Sequence, residues 1–371
     1  MLVIDLFSGC GGSAVGFRQI GFKIAVAVDI NKVASETFKI NFPETVVLNQ
    51  NITTLSGRDL LKAAGTDSGD NIILLGCPPC QGYSTARRAG QRLSEPRNML
   101  VFEFARIIRE IKPKFFIMEN VPGLANGIGK EIFSQVIRKI KSAGYSNYAY
   151  KVIDTADYGV PQRRKRLLFI GTNDSKITIS LPAPTNADTN SNKGLLKPWN
   201  TVKDAISDLP SIHAGEKHSK DKMHASANLS ELNIKRLKST PKNGGSRNSW
   251  PDELVLECHK NVNGYKDIYG RMRWDSPSPT ITGGCCMLSK GRFGHPEQNR
   301  AISLREAARL QTFPDNFIFS GNFGDIASQI GNAVPPLLTR RIGYLIQRLC
   351  KNSRLPDRNF IHSSLSISIS P

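Results

Sequence analysis

Short apolar runs separated by amphipathic stretches make up the first 175 residues of the chain. The apolar runs lie at residues 2–6, 24–28, 72–75, 115–118 and 167–170. Helical spacing of apolar positions lies between them, at residues 13–20, 32–41, 100–111 and 130–143. Strands that are apolar along their whole length are typical of a parallel sheet covered on both faces, and their alternation with helices is typical of α/β folds. The pattern predicts a doubly wound α/β domain with a mostly parallel sheet.

The rest of the chain has a different texture. From residue 181 onwards Pro, Asn, Ser, Thr and Lys predominate, and residues 186–193 and 238–249 have the composition of loops. Helical spacing returns at residues 304–310 and 334–349. We therefore predict one domain formed by residues 1–175 together with 325–350, a second, smaller and irregular domain at residues 176–324, and a peripheral tail at residues 351–371.

The net charge of the chain indicates which kind of partner it binds. The 371 residues are 39% hydrophobic, which suits a buried core, and 50 Lys and Arg against 31 Asp and Glu give a net charge of +19. A strongly basic chain favours a polyanionic partner such as a nucleic acid, although other basic proteins share this property.

Apolar runs and cysteines indicate the compartment. No apolar run approaches the roughly 18 to 20 residues of a membrane span, and no basic start precedes an apolar stretch at the N-terminus. The seven cysteines are an odd number scattered over a long chain, unlike the framework of a secreted disulfide protein. We expect a cytoplasmic protein without membrane contact, whose thiols are free.

Residues 5–12, Asp-Leu-Phe-Ser-Gly-Cys-Gly-Gly, follow the first strand and open a helix. Their glycines permit a tight turn and a close approach to a cofactor, and Asp29 ends the second strand, where a carboxylate binds ribose hydroxyls. The loop therefore indicates a nucleotide-like cofactor. Because residues 9–14 also fit the looser Gly-x-Gly-x-x-Ala dinucleotide pattern, the loop by itself leaves both NAD and S-adenosylmethionine open, as well as a turn without ligand.

Residues 76–84, Gly-Cys-Pro-Pro-Cys-Gln-Gly-Tyr-Ser, place thiols on a stiff loop at the end of the third apolar strand. Three interpretations compete: a redox pair, half of a zinc site, and one nucleophilic cysteine beside a bystander. Zinc needs two further ligands, and the adjacent Cys285 and Cys286 are poor partners for one tetrahedral ion. We predict no metal site.

A carboxylate and a basic cluster follow. Glu119 ends the strand at residues 115–118 and so reaches the same edge of the sheet as Cys80. Partly desolvated, this carboxyl group could hold and donate a proton, whereas the alternative is a buried Glu paired with a nearby Lys or Arg. Residues 162–166, Gln-Arg-Arg-Lys-Arg, suit a phosphate or a carbonyl oxygen, and the alternative is a solvated surface.

Taken together, these motifs resemble the DNA cytosine-5 methyltransferases of the bacterial restriction-modification type, in order along nearly the whole chain. Residues 5–12 are similar to the family's cofactor loop, Asp29 is similar to its ribose-binding acid, and residues 79–81 are similar to its Pro-Cys-Gln nucleophile loop. Further similar blocks are a cofactor segment at residues 97–100, Glu-Asn-Val at 119–121, Gln-x-Arg-x-Arg at 162–166, and two closing motifs at 305–311 and 329–335.

The resemblance implies a Rossmann-like catalytic domain that transfers a methyl group from S-adenosylmethionine to carbon 5 of cytosine in DNA. Cys80 would attack C6 as a thiolate, Glu119 would protonate or hydrogen-bond N3, and Arg164 and Arg166 would lie near O2 and the adjoining phosphate. The cytosine must be swung out of the duplex, as methyltransferases require.

The resemblance also assigns the cofactor pocket, with Asp29 on the ribose and Phe7 against the adenine. Two departures concern the adenine: Asn51 stands where many members carry Asp, although its amide oxygen can still accept a hydrogen bond, and the aliphatic Ile30 stands where some place an aromatic ring. The expected cofactor-binding residues are Phe7, Ser8, Gly9, Gly11, Asp29, Ile30, Asn51, Ile52, Pro78, Leu100, Asn332 and Val334.

The second domain is expected to recognise the target sequence in double-stranded DNA, with specificity between residues 176 and 300. Basic residues surround a Thr-Ile element at residues 279–284 that resembles one in the family, and the alternative for each is an ordinary exposed charge. The expected DNA-binding residues are Gln81, Ser84, Arg163, Arg271, Arg273, Thr280, Thr282 and Arg292.

The resemblance further implies a monomer that associates with the nucleoid through DNA. A cognate restriction endonuclease would act on the same site without being bound to it. The runner-up function is transfer of the same methyl group to cytosine in transfer RNA, although the long second domain favours DNA. A non-enzymatic binder of this fold would be expected to lose Cys80 or Glu119, and an NAD oxidoreductase accounts for the first loop only.

Overall fold

A computed structural model describes residues 1–79, 96–189, 194–257 and 267–352, built around a seven-stranded sheet. The strands are β1 (Leu2–Leu6), β2 (Lys23–Val28), β3 (Val46–Leu48), β4 (Ile72–Gly76), β5 (Phe115–Asn120), β6 (Asn147–Asp154) and β7 (Lys165–Thr172). Their order across the sheet is β3-β2-β1-β4-β5-β7-β6, and the first five are parallel. The predicted α/β class with a mostly parallel sheet is confirmed.

The described α-helices are α1 (Gly12–Arg18), α2 (Lys32–Asn41), α3 (Gly57–Ala64), α4 (Leu100–Ile111), α5 (Pro122–Ala125), α6 (Lys130–Ser142), α7 (Val202–Ile206), α8 (Glu231–Lys238), α9 (Leu304–Leu310), α10 (Phe323–Asn332) and α11 (Pro336–Asn352). Polar side chains define several of their first turns, because they accept hydrogen bonds from backbone N–H groups that have no partner within the helix. Asn31 caps α2 in this way, and Ser303 and Glu306 form a reciprocal capping box at α9.

Helices cover both faces of the sheet. Successive residues of β1 point to opposite faces, so that Val3 packs in the core that includes α1 and α11, and Ile4 packs in the core that includes α3, α4 and α6. This double burial explains why the strands are apolar at every position.

The strand β7 runs antiparallel between β5 and β6, although its apolar sequence resembles that of the parallel strands. Only residues 155–164 join β6 to β7, and they contain the 3₁₀ turn Thr155–Tyr158 rather than a crossover helix. A short connection of this kind joins antiparallel neighbours, whereas parallel neighbours need a longer crossover.

The described residues between 176 and 324 contain little regular structure beyond α7, α8, α9 and the two-residue strands β8 (Asn186–Ala187) and β9 (Lys197–Pro198). A small apolar cluster, which includes Leu237, Trp250 and Tyr269, gives this part a core of its own. However, Met272, Ile281 and Phe293 belong to the main core together with the sheet. The predicted domain boundaries therefore stay predictions, and most of the predicted tail, from residue 353, lies outside the described residues.

In the part of the chain that the structure describes, no helix is both long and apolar enough to cross a membrane. Within the same residues, no group of three or more His, Cys, Asp and Glu side chains could hold a metal ion. None of the described cysteines, Cys10, Cys77, Cys285, Cys286 and Cys350, forms a disulfide bond with another described cysteine.

Candidate active site

A cavity of about 870 Å³ lies where β1, β2, β4 and β5 reach their carboxyl ends, which is where open α/β sheets bind ligands. The first part of its lining is the loop after β1 together with Asp29. The second is the turn at Pro78 and Pro79 together with Glu119 and Arg166. The third consists of residues 280–283 and 331–334. The cavity thus joins residues from both ends of the sequence.

The loop after β1 is held against the end of β2. Gly9 N donates a hydrogen bond of 2.8 Å to Asp29 Oδ2, and Ser8 N donates one to Val28 O. Phe7 adopts a φ of 56°, which is unusual for a residue with a side chain, and Gly9 has a φ of 52°. A Cβ atom at Gly9 would meet nothing within 4 Å, so this glycine leaves open space beside the carboxylate.

Gly11 differs from the prediction because it does not line the cavity. Its φ is 97°, and a Cβ atom there would press against the rings of Phe38 and Phe42. The glycine is therefore required by the turn into α1 and by packing behind the loop, not by a bound ligand.

Asp29 lies at the cavity with both oxygens engaged by backbone amides, since Asn31 N donates to Oδ1 at 2.8 Å and Gly9 N to Oδ2. Burial raises the pKa of Asp29 above its usual value, and these two N–H groups oppose the shift. Beside it, the side chain of Ile30 is 71% exposed and borders the cavity. A carboxylate next to an apolar face suits a ribose next to an adenine.

Asn51 and Ile52 also border the cavity. Asn51 Oδ1 accepts a hydrogen bond from Thr53 N at 3.1 Å and so caps the 3₁₀ turn Ile52–Thr54. Leu100, Asn332 and Val334 complete the predicted cofactor residues that line the cavity.

A second acid lies behind the cofactor loop. Asp5 is fully buried, and its Oδ2 accepts a hydrogen bond of 2.6 Å from Ser13 Oγ, while Oδ1 has no partner. Burial raises the pKa of Asp5 to about 7, the hydrogen bond from Ser13 opposes the shift, and the charge of Asp29 adds to it. Ser13 lines the cavity and links this buried carboxyl group to it.

The predicted nucleophile Cys80, with Gln81 and Ser84, lies outside the described residues, but the turn that leads to it is described. Asn120 Nδ2 donates to Pro78 O at 3.0 Å and fixes this turn to the end of β5. Cys77 packs against the main core, and burial, followed by the charge of Glu119, raises the pKa of its thiol well above the ordinary value. Burial likewise raises the pKa of Cys10 to about 12. Neither cavity thiol is poised to ionise.

Glu119 and Arg166 form an ion pair at the cavity, with 2.8 Å between Glu119 Oε1 and Arg166 Nε. Both side chains keep a small exposed fraction, 13% for Glu119 and 15% for Arg166. The pair therefore faces the cavity instead of lying in the interior.

Arg164 borders the cavity but is only 4% exposed. Its Nη1 donates to Ile281 O at 2.8 Å, and its Nη2 donates to Gly331 O and Ala333 O. Burial, followed by the charge of Arg166, lowers its pKa to about 9, so the guanidinium stays charged at neutral pH. Both terminal nitrogens thus bind backbone carbonyls, while Nε has no hydrogen-bond partner among the described residues, so the predicted contact with O2 or phosphate stays a prediction.

Four of the predicted DNA-binding residues line the cavity or keep an exposed side chain. Thr280 and Thr282 line the cavity. Arg163 stacks over the ring of Trp199 at 4.2 Å and pairs with Asp154, while keeping 45% of its side chain exposed. Arg273 is exposed, in the predicted second domain.

Of two further arginines, Arg271 is structural, which corrects its predicted role, whereas the predicted DNA contact of Arg292 stays a prediction. Arg271 is 1% exposed and donates to the carbonyls of Leu237, Thr240, His295 and Gln298 and to Asn299 Oδ1. Arg292 pairs with Asp267 and donates to three backbone carbonyls. All three guanidinium nitrogens of Arg271 are therefore occupied within the protein, whereas Arg292 keeps 23% of its side chain exposed.

Among the cavity residues that did not emerge as site residues from the sequence, two have polar side chains of particular interest. Asn120 fixes the turn before the nucleophile loop, and Gln329 has a buried Oε1 without partner in the cavity lining. Both lie inside blocks that resemble the family, residues 119–121 and 329–335. Their place beside predicted site residues in these blocks is the only indication of a role that the sequence offers.

The described residues fit S-adenosylmethionine. Open space at Gly9 next to Asp29, the apolar Ile30 and the unpartnered Gln329 Oε1 offer a carboxylate, an apolar face and a buried acceptor within one cavity. The volume lies in the range of small-molecule sites.

Comparison with known proteins agrees with this geometry. The family model described as C-5 cytosine-specific DNA methylase matches residues 1–348. The Type II methylase M.HgiDII of Herpetosiphon aurantiacus is 38% identical over 93% of this chain and 95% of its own length, and the Type II methyltransferase M1.HphI of Haemophilus parahaemolyticus is 37% identical over 94% and 87%.

Among solved structures, a DNA modification methyltransferase encoded within a prophage (E. coli) superposes with a TM-score of 0.73 at 26% identity, over 95% of this chain and 99% of that one. The match of the family model over nearly the whole length, and relatives above 30% identity, decide the assignment. The chain belongs to the C-5 cytosine-specific DNA methylase family and is a DNA (cytosine-5)-methyltransferase.

Proposed function

We propose that this chain transfers a methyl group from S-adenosylmethionine to carbon 5 of a cytosine flipped out of a specific double-stranded DNA sequence, through a covalent bond between Cys80 and C6 of the base. One observation carries the proposal. A single cavity is lined by Asp29 and the loop after β1, by the Glu119–Arg166 pair, and by the Pro78–Pro79 turn that leads to Cys80.

The choice of nucleophile is supported by the other thiols at the cavity. Carbon 5 of cytosine is a weak nucleophile, and addition of a thiolate at C6 converts the ring into an enamine that is reactive at C5. Burial raises the pKa values of Cys10 and Cys77, so both stay protonated. Cys80 is the remaining cysteine of this loop.

Glu119 and Arg166 act on the opposite side of the reacting ring. When sulfur adds to C6, the electron pair of the C5–C6 double bond moves toward N3 and O2, and Glu119 holds a proton at N3 while Arg166 stabilises O2. Because Arg166 also pairs with Glu119, it orients that carboxyl group.

Bound S-adenosylmethionine supplies an electrophilic methyl carbon. Asp29, Phe7 and Ile30 would hold its nucleoside, and Gln329 Oε1 would accept a hydrogen bond from it. The methyl carbon would pass to C5 as its bond to the sulfonium sulfur breaks, with S-adenosylhomocysteine as the leaving group, and a base would then remove the C5 proton. The electron pair restores the double bond, the thiolate of Cys80 leaves, and the proton on N3 returns to Glu119.

The cavity also explains the need for a flipped base, because C6 is inaccessible inside a duplex. Residues 280–283, which lie in the predicted recognition domain, form part of its lining, so the target base would meet both domains there. One chain supplies every group, which supports action as a monomer. The names of the relatives support a role as the modification enzyme of a Type II system, whose endonuclease would recognise the same site without binding this chain.

The proposal is tested by incubating the protein with methyl-labelled S-adenosylmethionine and, separately, unmethylated double-stranded DNA and transfer RNA. Nucleoside analysis should find labelled 5-methylcytosine in the DNA arm, and Cys80→Ala should abolish it. Label on adenine, label at the cytosine exocyclic amine, or label confined to the transfer RNA arm would overturn the proposal.

A further inference from the structure

We infer that two buried glutamines, Gln162 and Gln311, are positioning residues for methyl transfer, because they fix the wall of the cavity formed by residues 280–283 to the catalytic side. The inference rests on the proposed function. Neither glutamine lines the cavity, and both are fully buried.

The side-chain amide of Gln162 binds both the cavity wall and the end of α9. Its Oε1 accepts a hydrogen bond of 2.9 Å from Ile281 N, in the middle of the cavity wall. Its Nε2 donates to Gln311 Oε1 at 2.8 Å, at the end of α9. One side chain therefore orients two segments more than a hundred residues away in sequence.

Gln311 continues the connection. Its Nε2 donates to Ile330 O at 2.7 Å, in the last turn of α10, and to Ala333 O, directly after α10. Arg164 joins the same segments a second time. Its guanidinium donates to Ile281 O on the wall and to Gly331 O and Ala333 O at the end of α10. Three segments thus share one buried polar network.

The backbone leaves the wall little freedom. Arg163 N donates to Ser278 O, Ser278 N donates to Pro161 O, and Thr280 Oγ1 donates to Arg163 O. A Cβ atom at Gly331 would collide with the backbone of Thr282 and Gly283, so α10 touches the wall directly.

The network connects the cavity wall to the segment that carries Arg166. Gln162 lies four residues before Arg166, which pairs with Glu119, while Thr280 and Thr282 line the cavity from the predicted recognition domain. A shift of the wall relative to Gln162 would change the distance between a seated base and the Glu119–Arg166 pair. A buried amide satisfied at both ends penalises such a shift, because each broken bond leaves a polar group without partner.

The test uses Gln162→Met and Gln311→Met, which keep side-chain length and remove the amide. Gln347→Met is the matched control, because Gln347 Nε2 donates a single bond to Ile20 O away from the cavity. Each variant is assayed for S-adenosylmethionine affinity by calorimetry, for turnover, and for flipping by the fluorescence of DNA with 2-aminopurine at the target position.

We expect Gln162→Met to bind the cofactor within about threefold of the parent affinity, since Asp29 and the loop after β1 are untouched. Gln311→Met also removes the donor to Ile330 O and Ala333 O, beside the predicted cofactor residues Asn332 and Val334, and should bind the cofactor less tightly. Turnover should fall about 100-fold, as for a displacement of about 1 Å at a reacting centre, with a reduced flipping signal. Gln347→Met should behave as the parent.

Unchanged turnover in Gln162→Met and Gln311→Met would overturn the inference. So would a loss of cofactor affinity in Gln162→Met that parallels its loss of turnover, which would indicate a structural role only. Should these variants fail to fold, Gln162→Glu keeps an acceptor for Ile281 N and loses the amide donor to Gln311 Oε1 and Leu310 O, and parent-like turnover there would also count against positioning. Failure of the parent to methylate DNA would contradict the proposed function instead.

Discussion

Arg166 Nε lies 2.8 Å from Glu119 Oε1 because β5 and β7 run antiparallel. Glu119 stands at the end of β5 and Arg166 at the beginning of β7, and only opposite strand directions bring an end and a beginning to the same edge of a sheet. A parallel β7 would have carried Arg166 to the far edge, away from the cavity. The reversed strand is therefore what places the positive charge beside the carboxylate.

Replacement of Arg166 tests that pairing. Arg166→Ala should lower kcat about 100-fold, because the charge that stabilises O2 and orients Glu119 is lost. Arg166→Lys keeps the charge without the planar fork and should retain more activity than Arg166→Ala. Steady-state kinetics on cognate DNA give both values, with calorimetry showing that cofactor affinity stays within about threefold. Equal rates for Arg166→Ala and the parent would remove Arg166 from the mechanism.

Asp29 is predicted to bind the ribose of the cofactor. Asp29→Ala should weaken binding of S-adenosylmethionine about 10- to 100-fold, which is the usual contribution of a hydrogen bond to a charged group. Asp29→Asn keeps an acceptor, so its affinity for S-adenosylmethionine should lie between those of the parent and Asp29→Ala. Calorimetry with S-adenosylmethionine, and with NAD as the competing ligand class, gives the affinities. An unchanged affinity in Asp29→Ala would exclude this role, and preference of the parent for NAD would exclude the whole cofactor assignment.

Much of this site is visible in the sequence, for a physical reason. Apolar runs locate β1, β2, β4 and β5, and residues that follow parallel strands must gather at one edge of the sheet. The sequence therefore placed Asp29, Glu119 and the turn before Cys80 correctly relative to the fold, although their roles stay predictions.

Side-chain direction is what the sequence leaves open. Arg271 and Arg292 are as basic as any DNA contact, yet their guanidinium groups satisfy carbonyls from distant loops. Gly11 belongs to the cofactor motif, yet it faces two phenylalanine rings. The direction of β7 depends on the short connection after β6, and the periodicity of apolar residues carries no information about strand direction.

Sequence specificity is predicted to travel with residues 176–300. Grafting this segment into a relative of different specificity should transfer the methylation pattern, which bisulfite sequencing of host DNA would reveal. The junction after Arg300 matters, because Arg300 forms a buried bidentate ion pair with Glu306, both contacts being 2.7 Å. The host must therefore carry an equivalent Glu. An active chimera that keeps the pattern of its host would contradict the prediction.

Asp5 predicts a pH dependence of stability. An aspartate has an ordinary pKa of 3.8, and burial raises that of Asp5 to about 7 in the folded chain. Between these values the folded state holds a proton that the unfolded state has released. The stabilising contribution of the protonated Asp5 to the free energy of unfolding is therefore fully present below about pH 4 and is lost as the pH rises through about 7.

Asp5→Asn removes the titration while its amide oxygen can still accept the bond from Ser13 Oγ. The free energy of unfolding of Asp5→Asn relative to the parent should therefore rise by about 2 to 3 kcal/mol from about pH 5 to about pH 7. Urea unfolding at several pH values measures the difference. A constant difference across this range would show that Asp5 keeps an ordinary pKa.

The last prediction concerns which thiol of residues 77–80 forms the bond to cytosine. Cys77 packs against the core beside Glu119, and burial together with that negative charge disfavours its thiolate. Cys80 follows the rigid Pro78–Pro79 turn, which Asn120 fixes at the cavity. Cys80→Ala should therefore abolish both methylation and the covalent complex with DNA that contains 5-fluorocytosine, in which loss of the C5 substituent is blocked.

Cys77→Ala is the matched control, because it removes a neighbouring thiol from the same loop. It should keep most of the methylation and most of the adduct, which denaturing gel electrophoresis separates from free protein. An adduct in Cys80→Ala together with its loss in Cys77→Ala would reverse the assignment. If both variants still methylate DNA at the parent rate, a nucleophilic cysteine is not required, and the roles of Glu119 and Arg166 would have to be derived for a direct transfer.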